Sequence, residues 1–168
     1  LDGGSNSGSN PYTIFPDNSV LTFGDSRDLR FVHDGTDSKI QNTNGDLIIL
    51  NQADDKDILL QSDDGSGGVT TYVKLDGSAT TTVFHKDTRY DDSVKAKFGA
   101  DSDLQIVHNG TDSQVVNTTG DLYFYNLADD EDILFGCDNG AGGDAIYFYL
   151  DGSSATHDGS ATTALYTN

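Results

Sequence analysis

The feature that most constrains this chain is internal self-similarity at a spacing of about 75 residues. Phe23-Gly24, Asp28-Leu29, Val32-His33 and Gly35-Thr36-Asp37-Ser38 return as Phe98-Gly99, Asp103-Leu104, Val107-His108 and Gly110-Thr111-Asp112-Ser113. The register then holds without a gap through Gly45-Asp46-Leu47 and Gly120-Asp121-Leu122, Asp57-Ile58-Leu59 and Asp132-Ile133-Leu134, and Leu75-Asp76-Gly77-Ser78 and Leu150-Asp151-Gly152-Ser153. Two copies that keep the same turn and apolar positions must each fold from the same local instructions. We therefore expect a tail or arm at 1–15, a first β unit at 16–85, a second at 86–157 and a C-terminal segment at 158–168. Within that last segment Asp158–Thr163 echoes Asp76–Thr81, as though a further unit were starting. The sequence has no methionine and starts at Leu1, which suggests a processed product or a piece of a longer array.

Inside each unit the apolar runs are short and alternate, as in Leu29, Phe31 and His33 against Arg30 and Val32, or Leu47 and Ile49 against Ile48 and Leu50. That period of two, with Val, Ile, Phe, Tyr and Thr prominent, predicts strands and almost no helix. Asp34-Gly35, Asn109-Gly110 and Asn44-Gly45 suit tight hairpins, and Asp64-Gly65-Ser66-Gly67-Gly68 suits a looser bend. Thr82–Tyr90 reads as the connector between units, and Tyr12–Phe15, bracketed by Pro11 and Pro16, as an edge strand or an arm. The expected fold is all-β: two tandem copies of a meander of short strands, solenoid-like, prism-like or sandwich-like, assembled as a homo-oligomer.

Charge narrows the partners. The chain carries 28 acidic against 9 basic residues, a net charge of −19, which repels a phosphate backbone and argues against nucleic acid. Only Glu131 among the acids is a glutamate, so the acids read as turn formers. No stretch is long and apolar enough to span a bilayer as a helix, and membrane insertion is not expected. Cys137 is the only cysteine, which precludes an intrachain disulfide; its counterpart Ser62 suggests a small, buried or half-buried filler.

Several residues invite sharper readings. Asp55 and Asp57, with Asp130 and Asp132, could share a Ca²⁺, although no spacing here matches an EF-hand loop and solvated turns are the better account. No other cofactor is expected. His33 and His108 hold the same place in each copy and could meet around a metal in a three-chain assembly; a strand-end histidine bonded to a turn is the simpler account. Spacing selects no acid/base pair among so many aspartates, no nucleophile elbow is present, and Gly65–Gly68 lacks the lysine of a phosphate cradle, so no enzyme is expected. The second copy carries Tyr123, Phe124, Tyr125, Ile146, Phe148 and Tyr149 where the first has Ile48, Ile49, Leu50, Thr71, Val73 and Lys74. Aromatics on both faces of a strand point to a subunit interface or a glycan platform.

The segments Phe98–Phe124, Asp129–Gly143 and Tyr72–Gly99, with their first-copy counterparts, resemble repeats in structural proteins of marine tailed phages, especially tail-fibre-like proteins of cyanophages. The likeness spans nearly everything after Pro16. It implies a β-rich part of the virion surface or the extracellular space, a tail-fibre or head-decoration module. Its partners would be copies of itself, most naturally a trimer, with other virion proteins and a host-surface glycan. It supplies no catalytic residues. The alternatives are a subunit of a non-viral extracellular filament or surface layer built by strand exchange through Leu1–Phe15, and a glycan-binding or glycan-cleaving fibre module.

Overall fold

The computed structural model describes residues 13–153 and the backbone of Tyr166–Thr167. It is all-β, with no helix among the described residues. Contacts divide the chain into two units, Leu1–Thr88 and Arg89–Asn168. The C-terminal echo at 158–163, and Tyr12 with the tail before it, lie outside the described residues.

The first unit holds two three-stranded antiparallel sheets. One runs β1 (Val20–Phe23), β2 (Leu29–His33), β3 (Ser38–Asn42); the other runs β4 (Ile58–Asp63), β5 (Val69–Asp76), β6 (Thr81–Phe84). The second unit also holds two: β7 (Ala96–Phe98), β8 (Leu104–His108), β9 (Ser113–Asn117), and β10 (Ile133–Asp138), β11 (Asp144–Leu150), β12 (Tyr166–Thr167). Every neighbour along the sequence is a neighbour in its sheet, the simplest meander.

Side-chain amides and carboxylates shape the turns. Asp34 Oδ1 accepts the N–H groups of Thr36 at 3.1 Å and Asp37 at 2.9 Å, which closes the β2–β3 hairpin over Gly35 at φ 98°. Asn109 Oδ1 accepts those of Thr111 and Asp112 at 2.9 and 2.8 Å to close β8–β9 over Gly110 at φ 96°. The left-handed backbone at these two positions is what makes glycine suitable there. Asp64 and Asn139 do the same for the β4–β5 and β10–β11 loops.

A bulge interrupts each long pair. Leu60 faces Val73 but Gln61 faces Thr71, and Phe135 faces Phe148 but Gly136 faces Ile146. The residues left over, Tyr72 and Tyr147, send their hydroxyls to Asp63 O at 2.9 Å and Asp138 O at 3.1 Å. A bulge leaves one residue outside the ladder, and these two bonds anchor the unpaired side chain.

Three expectations need correction. Thr82–Phe84, read as part of a connector, belongs to strand β6, whose Val83 and Phe84 pair with Lys74 and Val73. Leu47–Leu50 and Leu122–Tyr125 enter no sheet, so Asn44-Gly45 makes a turn but no hairpin. Their alternation is that of an extended chain, and it does not supply a neighbouring strand. Cys137 is exposed, because the face of β10 on which it lies has no covering layer.

Candidate functional site

Residues that pair across a sheet share a face, so the register assigns each side chain. In β1–β3, Leu21, Phe31 and Ile40 line up beside Phe23 and Leu29 on one face. Phe23 and Phe31 meet edge to face, centroids 6.2 Å apart. The reverse face carries Thr22, Arg30, Gln41, Val20, Val32 and Lys39. In β4–β6 the apolar face is Ile58, Leu60, Val73, Leu75 and Phe84. Phe98, Leu104, Ile106 and Val115 make up the face of β7–β9, and Ile133, Phe135, Phe148 and Leu150 that of β10–β11.

Among the described residues no side chain, apolar or polar, is buried, and within each unit no strand of one sheet packs against a strand of the other. The most exposed apolar groups lie outside the sheets: Leu127 is 90% exposed, Ile48 75% and Tyr125 73%. An open hollow of about 430 Å³ beside β1–β3 is lined by Phe15, Leu21, Phe31 and Ile40, with His33 and Lys39 at its polar side.

The aromatic residues singled out in the sequence separate into two groups. Ile146, Phe148 and Tyr149 lie on β11, where Phe148 stacks on Phe135 within the sheet, centroids 4.5 Å apart at 14°. Tyr123, Phe124 and Tyr125 lie in the extended run outside the sheets; the rings of Tyr123 and Tyr125 stack 5.5 Å apart at 9°, and the Tyr123 hydroxyl donates to Asp121 at 3.0 Å.

In each acidic pair one carboxylate accepts a backbone N–H. Asp57 Oδ1 accepts the N–H of Gly77 at 3.1 Å and Asp132 Oδ1 that of Gly152 at 3.0 Å, tying the approach to β4 and β10 to the ends of β5 and β11. Asp55 and Asp130 take left-handed backbone, φ 57° and 60°. No three acidic, histidine or cysteine side chains gather as metal ligands among the described residues. Asp76 lies well below the usual carboxylate range because Lys74 Nζ reaches it at 2.6 Å, with the Ala79 N–H and Ser78 adding to the effect. Asp34 is lowered by the Asp37 N–H first and then by Lys39.

His33 Nδ1 sits 3.2 Å from Ser38 Oγ, its cross-strand partner, and its Nε2 3.9 Å from Asp17. His108 and Ser113 repeat the pair at 3.1 Å. The sequence places each histidine at a strand end beside a turn, but it carries no signal for the serine opposite or for the tyrosine anchors at the bulges, because each depends on which residues the register places opposite one another.

No protein-family model, curated protein or solved structure matches this chain.

Proposed function

We propose that the chain is a structural module of a virion surface, a phage tail-fibre or head-decoration piece that assembles with copies of itself for display and host-surface adhesion. One observation carries the assembly part of this reading: each sheet has a cluster of apolar side chains on one face, and no described side chain is buried. A fully buried Leu, Ile or Phe contributes about 1.5–3 kcal/mol over an exposed one. Three strands are the least that hold together in water, and then only with an apolar face that something covers. Such faces, left open on every sheet, call for partners. The phage setting comes from the resemblance of Phe98–Phe124 and Asp129–Gly143 to fibre-type repeats, and a mechanical role suits turns fixed by side chains that occupy no cleft.

Sedimentation of the full chain over a hundredfold concentration range tests assembly. A fixed multiple of the chain mass is expected, and a monomer throughout would overturn the reading. Mass that keeps growing with concentration would replace the closed module by an open filament. Immunolabelling of intact particles with antibody to the chain tests the virion setting, and particles that stay unlabelled would remove it.

A further inference from the structure

Leu47–Leu50 and Leu122–Tyr125 hold matching places, each fixed at both ends and free between. Before them, Asn42 Nδ2 donates to Asn44 O and Gly45 O, and Asn117 Nδ2 to Thr119 O and Gly120 O. After them, Asn51 Nδ2 donates to Asp57 O and Asn126 Nδ2 to Asp132 O. Between these clamps the two runs make no backbone hydrogen bond to any described residue. Water can satisfy those groups, but an extended backbone with open donors and acceptors is a template for strand pairing.

The side chains call for cover on two sides. Successive residues of an extended chain point to opposite sides, so Leu47 and Ile49 face one way, Ile48 and Leu50 the other. Tyr123 and Tyr125, stacked on each other, share a side that Phe124 does not. Ile48 and Ile49 are 75% and 67% exposed, and neither Leu47–Leu50 nor Leu122–Tyr125 contains a charge. A strand with one wet face alternates apolar with polar; a run apolar on both sides is the pattern of a strand covered on both.

We infer that these two runs are inter-chain strands, each seated between two further copies of this chain, so that the assembly holds at least three chains. The inference rests on the self-assembly reading above and adds the contact and the minimum number. A twofold dimer gives each run one neighbour, whereas a ring of three gives it two. The exposed parts of Leu47–Leu50 amount to roughly 400 Å² of apolar surface, and those of Leu122–Tyr125 with Leu127 to roughly 500 Å², each the size of patch that marks a contact site on a soluble chain. A second copy fits because it brings runs of the same length with the same open backbone, and between two chains of net charge −19 these uncharged runs are where approach costs least.

The chain has no tryptophan, so Phe124→Trp and Ile49→Trp each install a single reporter, one per unit. Emission and acrylamide quenching are read alongside mass in solution. The expected result is blue-shifted emission at three or more chains per particle, with quenching several-fold weaker than in the same variant dissociated to monomer. Solvent-exposed emission from both variants while they are assembled would overturn this inference and leave the self-assembly reading standing. A buried reporter in a particle of monomer or dimer mass would overturn it too, by assigning the cover to the chain itself or to one neighbour. A wild-type chain that never associates would overturn both readings together.

Discussion

Asp34 and Asn109 do one job with different chemistry: each Oδ1 accepts two backbone N–H groups of a hairpin turn, but only Asp34 also holds a lysine, Lys39, at 2.5 Å. Asp64 and Asn139 differ in the same way at the next loop, where the Ser66 and Gly68 N–H groups lower the Asp64 carboxyl. Acid should therefore weaken the first unit before the second. A carboxyl held below its unfolded value, near 4 for Asp, adds stability that is present above about pH 4 and lost as pH falls through the folded value. Amide exchange followed from pH 6 to pH 2 should show Ser38–Asn42 losing protection at higher pH than Ser113–Asn117. Asp34→Asn with Asp64→Asn should narrow that gap.

Asp57 offers a way to separate a turn carboxylate from a cation ligand. Asp57→Asn keeps an oxygen for the Gly77 N–H and should cost little, whereas Asp57→Ala loses the bond, about 1 kcal/mol. Urea unfolding with added Ca²⁺ and with a chelator should give the same midpoint for the wild type. A calcium-dependent midpoint that both variants abolish would favour the ligand reading.

Gly77 has the less obvious glycine requirement. A Cβ there would strike the Lys56 carbonyl oxygen, and one at Gly152 the Glu131 carbonyl oxygen. Gly77→Ala should cost about 1–3 kcal/mol by crowding. At Gly45, with φ 69° and open space around it, alanine meets only the left-handed backbone penalty, about 1–2 kcal/mol. Chemical unfolding of the two variants should rank them in that order.

If assembly supplies the missing cover, apparent stability follows mass action. The thermal midpoint should rise with protein concentration over two decades, and Tyr123→Ser with Phe124→Ser should flatten that rise. A midpoint independent of concentration in the wild type would argue against coupled folding and assembly.

The legible part of the fold was local. Leu29–His33 and Ser38–Asn42 are alternating runs joined by Asp34-Gly35, and everything that pairs them lies within fourteen residues. Leu47–Leu50, apolar at every position, reads as a strand too but enters no sheet, because a short apolar run reports an extended backbone and not a partner. Thr82–Phe84 reads as connector for the opposite reason: it has no turn signal after it, yet β5 supplies its partner. Of the aromatic residues, Phe148 already has Phe135 within its own sheet while Tyr123–Tyr125 stand outside, a division composition does not carry.

The bulge between Leu60 and Gln61 has a geometric consequence. Val69 and Val73 lie four residues apart on β5 and in a regular strand would point the same way. Because Val73 faces Leu60 and Val69 faces Asp63, they point to opposite sides. One supernumerary residue thus ends the greasy strip partway along the ribbon, so the footprint open to a neighbour is narrower than the strand is long.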